Sequence, residues 1–371
     1  MTPTRILIIG TVAATLLAGC NEAGPQSQSA ATAPDASEAA VTAAATTGDA
    51  ESAASSQIPS ETKTFREWTA VCDNVNACAA YGPAADNSGF VMVQIDAGPS
   101  AKPQVTAGSW SLPSGASRLL LNIDGRNYAG KMEAVDSETP MLSIKDASDQ
   151  LIGAIANGRA MTLTAGGETA HVTLTGAAAA FLWIDERQGR LGSTTALIRK
   201  GQRPASAVPA APTPPRLQAA AAVAQSNLPA RMPAAVANLP AVRECAQNDN
   251  TSEPWDVARL GPDTLLWGVP CGSGAYNFSR SYVTSANDGS NARLVSFPTT
   301  GQAVTQLINS NYDPKSRTLS AFGKGRGIGD CGEAAEWVWT GRSFSLLSEV
   351  TMTDCLGIHW TQWPSTYSAT L

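Results

Sequence analysis

Glycines and charged residues alternate in FGKGRGIGDCGEAAEWVWTGRSF, residues 322–344, a pattern that could hold a phosphate. Residues 327–332, GIGDCG, fit the G-x-G-x-x-G signature of dinucleotide sites, in which backbone N–H groups contact a pyrophosphate. That signature needs a strand before it and a helix after it, whereas EWVWTGRSF is typical of a β-hairpin. We therefore expect no nucleotide and no cofactor here. The pattern favours a structural turn beside a disulfide, with glycines at positive φ.

Hydrolysis is a second kind of chemistry that this region could support. The loop and the residues after it carry four acids, Asp330, Glu333, Glu336 and Asp354. Two carboxylates at a fixed separation can hydrolyse a glycoside. A hydrolase acting on cell-wall or extracellular polymer through acids near Asp330 is therefore our alternative function. A surface ion-pair cluster with Arg326 and Arg342 explains the same residues without catalysis.

Other candidate catalytic residues are few. The chain has two histidines to serve as the base of a Ser-His or Cys-His hydrolase. His171 lies on a Thr-rich predicted strand, where an exposed sheet face explains it, and His359 is interpreted as a partly buried structural residue. The charged run 185–187 could also be catalytic, but we expect it to be a solvated helix end.

Two tryptophans suggest binding rather than catalysis. Trp337 and Trp339 are two residues apart on a predicted strand, so their side chains point to the same face. If they are exposed, they form a candidate ligand surface with Arg326 and Asp330, able to stack on a sugar or to contact a hydrophobic partner. If they are buried, they form the core of a small domain.

The first twenty residues, MTPTRILIIGTVAATLLAGC, predict export. Arg5 precedes an apolar run that is too short to span a bilayer, as in a secretory signal peptide. The final LAGC resembles the lipobox of bacterial lipoproteins, so we predict that residues 1–19 are removed and that Cys20 becomes a lipid anchor carrying palmitate-type chains. Asn21, in place of Asp, favours the outer membrane. The alternative is an ordinary signal peptide with an incidental cysteine.

Residues 20–60 are predicted to be a disordered tether between this anchor and the folded part. Residues 21–60 contain no aromatic residue, Lys or Arg and are rich in Ala, Ser and Thr, so they bury too little apolar surface to offset ordering entropy. The segment carries five acidic residues of a chain whose net charge is −6. The remainder is close to neutral and has no basic stripe, which argues against nucleic-acid binding.

The cysteines support an oxidising compartment. Setting Cys20 aside leaves six, Cys72, Cys78, Cys245, Cys271, Cys331 and Cys355. An even number is typical of a disulfide framework, although six cysteines allow fifteen pairings. Their grouping along the chain favours 72–78, 245–271 and 331–355. A metal site is the alternative, but no pair has the C-x-x-C spacing of a zinc ligand set, and we expect no metal.

A proline-rich stretch divides the rest of the chain. Residues 201–241 contain eight prolines among alanines, which predicts a semi-rigid linker with one short helix at 217–225. It separates an N-terminal domain, 61–200, from a C-terminal domain, 242–371, and we expect few contacts between them.

Both domains are predicted to be mainly β with minor α. Short runs such as GFVMVQI and RTLSAF alternate with Gly, Asn and Asp turn residues, and TAGGETA is a hairpin signal. A sandwich or a barrel fits this spacing. After Gly176 the composition becomes Ala-rich, which indicates a helix at about 177–190 that packs on the sheet.

Five motifs carry a family resemblance: FREWTAVCDNVNAC (65–78), WIDERQGRLGSTTALIRKG (183–201), LLWGVPCGSGAYN (265–277), GKGRGIGDCGEAAEWVWTGRSFSL (323–346) and HWTQWPSTY (359–367). Together they resemble Domain of Unknown Function 1176, a family of exported proteins from Gram-negative bacteria. The start F-x-x-W-x-x-x-C also resembles invasion-associated locus B proteins over a short stretch. The first resemblance implies export and the domain boundaries, but it implies no activity.

The combined interpretation is a lipoprotein of the bacterial cell envelope, facing the periplasm or the outer surface. Its predicted role is non-catalytic binding of an envelope protein or glycan, while the membrane is contacted through the lipid anchor. The hydrolase remains the alternative.

Overall fold

The computed structural model describes residues 59–133 and 140–371. The predicted signal peptide, the lipid anchor Cys20 and almost all of the predicted tether lie outside these residues. No helix in the described part of the chain combines the length and the apolar character needed to cross a membrane.

The N-terminal part contains eleven strands and two helices among the described residues. They are β1 (Glu61–Phe65), β2 (Trp68–Cys72), β3 (Cys78–Pro83), β4 (Gly89–Ile95), β5 (Gln104–Ser109), β6 (Leu120–Ile123), β7 (Arg126–Tyr128), β8 (Lys131–Glu133), β9 (Met141–Ile144), α1 (Asp149–Asn157), β10 (Met161–Ala165), β11 (Glu168–Val172) and α2 (Ala177–Arg187). They form a seven-stranded sheet, β1-β2-β3-β4-β5-β9-β8, and a four-stranded sheet, β11-β10-β6-β7.

The C-terminal part begins with two helices and continues with ten strands. They are α3 (Ala234–Ala237), α4 (Pro240–Asn248), β12 (Asp256–Gly261), β13 (Thr264–Ser273), β14 (Phe278–Ser285), β15 (Arg293–Leu294), β16 (Gln306–Ile308), β17 (Asn311–Asp313), β18 (Thr318–Lys324), β19 (Gly332–Trp339), β20 (Phe344–Met352) and β21 (Ser365–Ser368). One sheet has the order β12-β13-β14-β15 with β16 also on β14, and the other has the order β17-β18-β19-β20-β21.

The predicted mainly β fold with minor α is confirmed. All named strand pairs are antiparallel, and the GFVMVQI and RTLSAF runs lie in β4 and β18. The predicted helix after Gly176 is α2. Gly176 is required there, because its φ is +114° and a Cβ would lie 1.8 Å from the carbonyl oxygen of Phe65.

The three disulfides have the predicted pairing, Cys72–Cys78, Cys245–Cys271 and Cys331–Cys355. Cys72–Cys78 joins β2 to β3, and Cys245–Cys271 joins α4 to β13. Each bridge therefore fastens elements within one of the two parts.

The expectation of few contacts between the two parts is wrong. A buried cluster combines N-terminal residues of β2, β3, β4 and β9 with Met352, Leu356, Ile358 and Trp363. Asn74 exchanges two hydrogen bonds with Ser368, at 2.9 and 2.7 Å. The two parts therefore share apolar surface, while the domain boundaries themselves stay a prediction.

The predicted helix at 217–225 is also wrong, because this stretch is extended. Leu217 N–H donates to the carbonyl of Thr370, and the Gln225 side chain pairs with the backbone of Arg259 in β12. The N–H groups of Leu217 and Ala220 donate to the distant carbonyls of Thr370 and Trp339 instead of to an internal helical ladder.

Candidate ligand-binding surface around the glycine loop

The glycine loop, residues 325–331, connects β18 to β19 as a hairpin. The strand register ends with Lys324 opposite Gly332, and Gly325 N–H donates to the carbonyl of Cys331 at 2.7 Å. Gly332 has a φ of +134°, and a Cβ there would lie 2.0 Å from the carbonyl oxygen of Gly323. Because strand β19 follows the loop directly, the helix that a dinucleotide site needs does not start here.

The loop is held on its neighbours by a salt bridge and a disulfide. Arg326 Nε donates to Asp330 Oδ1 at 2.7 Å, and its Nη2 bonds to Asp330 Oδ2 and to the carbonyl of Cys355. Asp330 Oδ2 also accepts from the buried N–H of Gly357 at 2.7 Å. The hydrogen bond that Arg326 donates to the Asp330 carboxylate raises the pKa of Arg326. Both carboxylate oxygens are therefore occupied by structural contacts.

The four acids of the predicted hydrolase site do not converge. Asp330 is buried, and Asp354 accepts a hydrogen bond from Tyr81 at 3.0 Å. Glu333 and Glu336 are three residues apart on β19, and successive strand residues point to opposite faces, so these two carboxylates lie on different sides of the sheet. Within the described part of the chain, Asp330 and Asp354 are each held by structural contacts, and Glu333 and Glu336 do not share a face of the sheet.

Asp330, Cys331 and Cys355 form the one group of potential metal ligands found among the described residues, with ligand atoms within 4.8 Å of one another. Both sulfurs belong to the Cys331–Cys355 disulfide. Metal coordination by cysteine uses the thiolate, so these sulfurs are not ligands in the oxidised protein.

The candidate ligand surface of Arg326, Asp330, Trp337 and Trp339 is not formed. Trp337 and Trp339 are 2% and 5% exposed, and they pack with Phe297 and Phe344 in a core cluster. The Trp337 indole N–H donates to the carbonyl of Pro298 at 2.6 Å. These tryptophans fill the space between the two C-terminal sheets, so they do not form an exposed stacking surface.

Other apolar side chains are exposed around the loop instead. Trp110, Tyr276, Ile328 and Trp360 are 46%, 37%, 62% and 45% exposed. The Trp110 ring lies 5.9 Å from Arg326 Cζ, and Tyr276 Oη donates to the carbonyl of Gly325 at 3.5 Å. Trp360 packs on Phe322, the residue two before Lys324 on β18, with 5.9 Å between ring centroids. We call Trp110, Tyr276, Arg326, Ile328 and Trp360 the aromatic surface.

Sequence reasoning found only part of this surface. The glycine loop indicated Arg326, but Trp110 comes from the N-terminal part and follows strand β5. It reaches the loop because Gly357, with a φ of +80°, leaves room where a Cβ would lie 2.6 Å from the Trp110 ring. No local pattern around Trp110 indicated this contact.

The two histidines lie where they were expected, His171 exposed on a strand and His359 partly buried. His171 is exposed on β11. His359 caps a short 3-10 helix, Trp360–Gln362, where its side chain accepts from the N–H of Thr361.

The expectation of a solvated helix end at 185–187 is wrong for Asp185, which is fully buried. Its carboxylate accepts the backbone N–H groups of Leu197, Ile198 and Arg199 at 2.6, 3.1 and 3.4 Å. Burial raises the pKa of Asp185, and the three hydrogen bonds partly offset that shift. The carboxylate thus holds the segment after α2 against the helix, so its role is structural.

Comparisons with known proteins give a family. Residues 62–370 match the family described as "Protein of unknown function (DUF1176)". The "Uncharacterized protein YpfG" of Escherichia coli (strain K12) is 29% identical over 331 residues, covering 82% of this chain and 91% of that protein. The crystal structure of invasion associated protein b from Bartonella henselae aligns with 35% of this chain and 99% of its own, at 14% identity and a TM-score of 0.28. The family match covers most of the sequence and includes the glycine loop, and the chain therefore belongs to the DUF1176 family.

Proposed function

We propose that this protein is a non-catalytic binding protein of the bacterial envelope, and that its aromatic surface contacts a partner protein. One observation carries the proposal. Eight large apolar side chains are exposed among the described residues, and four of them, Trp110, Tyr276, Ile328 and Trp360, belong to the glycine loop or flank it. Clustered exposed apolar side chains mark interaction sites, whereas scattered ones do not.

The composition of the aromatic surface supports a protein partner. Trp, Tyr and Arg are the residues most enriched at binding hot spots, and the surface contains Trp110, Trp360, Tyr276 and Arg326. Its loop is fixed by the Cys331–Cys355 disulfide and by the Arg326–Asp330 salt bridge. A preorganised surface loses less conformational entropy on binding, which favours affinity.

The location is proposed from the sequence. The LAGC motif supports lipidation at Cys20, with the outer membrane favoured, and residues 20–60 have the composition of a tether. A flexible chain of that length would reach roughly 35 Å root-mean-square from the membrane. The aromatic surface would then meet partners in the periplasm or at the outer surface.

The geometry gives less support to the alternative of a hydrolase acting through Asp330. That carboxylate is buried and bound by Arg326 and by the N–H of Gly357. A general acid or base must reach the proton that it transfers, and Asp330 has no free oxygen with which to do so.

Site-specific photocrosslinking in intact envelopes tests the proposal. A photoreactive residue at Ile328 should give a discrete protein adduct, whereas one at Leu294, exposed on β15, should not. Trp110→Ala and Trp360→Ala should each weaken the adduct at 328. Identical adducts at both positions, or none at 328, would refute a partner at this surface. An adduct removed by glycosidase but not by protease would identify a glycan instead.

A further inference from the structure

A second surface of the C-terminal part forms a groove. One cavity of 290 Å³ lies between strands β18–β20 and the segment 299–308. Two more, of 250 and 550 Å³, adjoin it on either side. Thr351 lines all three cavities, and the first shares Thr300 and Gly301 with one neighbour and Gly323 and Glu333 with the other, so the three adjoin as one groove. We call it the Thr351 groove.

The groove exists because side chains become smaller along one face of the sheet. In the register of β18 and β19, Leu319 pairs with Trp337, Ala321 with Ala335, and Gly323 with Glu333. The first pair fills the core between the sheets. The alanine and glycine positions that follow are too small to fill the same gap, and a cavity opens above them.

One wall of the groove, the loop at 298–302, is fixed by hydrogen bonds to buried side chains. Glu349 is buried, and it accepts hydrogen bonds from the N–H and the hydroxyl of Thr300 and from the hydroxyl of Thr366. The Trp337 indole N–H holds the carbonyl of Pro298. The loop at 298–302 is therefore held by hydrogen bonds to buried side chains, as expected for a preformed site.

The lining combines apolar and polar side chains, and most of its polar members carry a hydroxyl or an amide. The polar uncharged members are Ser60, Thr62, Asn277, Thr299, Thr300, Gln302, Gln306, Thr351, Thr353 and Thr366. The charged members are Glu333, Glu349 and, at one end, Lys324. Within the described residues, the side chains of Gln302, Glu333 and Thr351 have no protein hydrogen-bond partner, which leaves them able to bind a ligand.

Two features distinguish among ligands. Strands β19 and β20 form the floor, and each already pairs with a strand on both sides, so a peptide cannot add to the sheet through its backbone. The carboxylates of Glu333 and Glu349 repel negative charge, which disfavours an anionic polymer as the ligand. We infer that the Thr351 groove binds an uncharged linear glycan, whose hydroxyls exchange hydrogen bonds with the Thr, Gln and Glu side chains.

The groove and the aromatic surface adjoin at the glycine loop, where Gly325 and Cys331 line one end of the groove, but their main parts lie on opposite sides of the sheet. Successive residues of β18 face opposite sides of the sheet. Phe322 packs on Trp360, whereas its neighbours Ala321 and Gly323 line the groove on the other side. Loss of one site should leave the other intact.

Calorimetry of the purified protein with neutral hexasaccharides tests the inference. The probes are cellohexaose, chitohexaose and maltohexaose, with an oligogalacturonate hexamer as the anionic counterpart. At least one neutral hexamer should bind, and it should bind more tightly than its disaccharide because the groove joins three cavities. The anionic hexamer should bind at least tenfold more weakly.

Substitutions then locate the binding. Thr351→Trp should weaken it at least tenfold by filling the point where the cavities meet. Thr162→Trp is the matched control, since Thr162 is also half-buried on a strand that pairs on both sides. Glu333→Gln, which keeps the size of the side chain, should weaken binding several-fold with an unchanged melting temperature. Ile328→Ser should leave it unchanged.

Three outcomes would overturn the inference: no binding of any neutral hexamer, equal or tighter binding of the anionic hexamer, or binding that survives both Thr351→Trp and Glu333→Gln. None of these outcomes depends on the crosslinking result at Ile328, so the two proposals can fail independently.

Discussion

Replacing Asp185 by alanine should destabilise the protein strongly, although the residue touches no cavity or exposed surface. The carboxylate accepts the backbone N–H groups of Leu197, Ile198 and Arg199 in a fully buried position. Each buried N–H left without an acceptor costs about 1–3 kcal/mol. Three such groups give a total of about 3–9 kcal/mol, and with local relaxation we expect a loss near the lower end, about 3–5 kcal/mol.

Urea unfolding with the disulfides intact, followed by tryptophan fluorescence, measures this loss. With an m value of about 3 kcal/mol/M, the midpoint should fall by roughly 1–2 M. Glu186→Ala is the control, because Glu186 is the next residue on α2 and is exposed, so its replacement should change stability by less than about 0.5 kcal/mol. If Asp185→Ala unfolds at the same urea concentration as Glu186→Ala, the three hydrogen bonds do not hold the segment and the reasoning fails.

The same residue gives a pH dependence whose sign follows from burial. The pKa of Asp185 is raised above its ordinary value of 3.8 in the folded state, so the folded protein binds the proton more tightly than the unfolded chain. This contribution to stability is fully present below pH 3.8 and is lost as the pH rises through the folded pKa. Asp185→Asn cannot titrate, so the unfolding free energy of the wild type should fall relative to that variant above about pH 4. A constant difference across this range would contradict the assignment.

Three further predictions concern the glycine loop. Arg326→Ala should cost about 1–3 kcal/mol because it leaves the buried Asp330 carboxylate without its charged partner, whereas Lys324→Ala should change thermal stability by less than about 0.5 kcal/mol; equal melting temperatures would contradict this. Gly332→Ala should lower the melting temperature more than Lys324→Ala does, because a Cβ would meet the carbonyl of Gly323; expression of a fully stable variant would argue against the hairpin geometry. Replacing Cys331 and Cys355 together by serine should cost about 3 kcal/mol, and non-reducing peptide mapping of the wild type should recover the two residues as one linked pair.

Features encoded by neighbouring residues were predictable from the sequence. The cysteine pairing followed from the grouping of the six cysteines, and each pair does lie on elements that are close along the chain. The hairpin signal TAGGETA produced the turn between β10 and β11, and the Ala-rich run produced α2. In these places local backbone preference and the final fold agree.

Features that depend on distant contacts were not predictable. Asp185 stands in a charged run that is typical of a solvated helix end, and only the return of residues 197–199 over α2 buries it. Trp337 and Trp339 point to the same face of β19 whether that face is exposed or buried. Their burial depends on the second C-terminal sheet, which packs against that face. Trp110 reaches the glycine loop through the space beside Gly357. In the sequence, these two residues lie on opposite sides of the proline-rich stretch.

The proline-rich linker, residues 201–241, shows the same limit of prediction from local sequence. Its composition correctly indicated extended backbone at 208–233, although α3 and the start of α4 also lie within 201–241, and composition alone does not identify the residues that accept its hydrogen bonds. Residues 215–217 are bonded to Thr370, and Gln225 is bonded to Arg259. The stretch therefore runs along the C-terminal sheets instead of spanning open space between two domains.

The pairing of the cysteines has a consequence for biogenesis if the chain is exported as we propose. Counting only the six disulfide-bonded residues, each cysteine pairs with its neighbour in sequence order, at separations of 6, 26 and 24 residues. A chain that emerges from a translocation pore N-terminus first would present the two partners of one bridge before the first partner of the next. A simple dithiol oxidase acting on the emerging chain would then give the native set without proofreading by an isomerase. Strains that retain the oxidase but lack the isomerase should accumulate this protein in its native oxidised form.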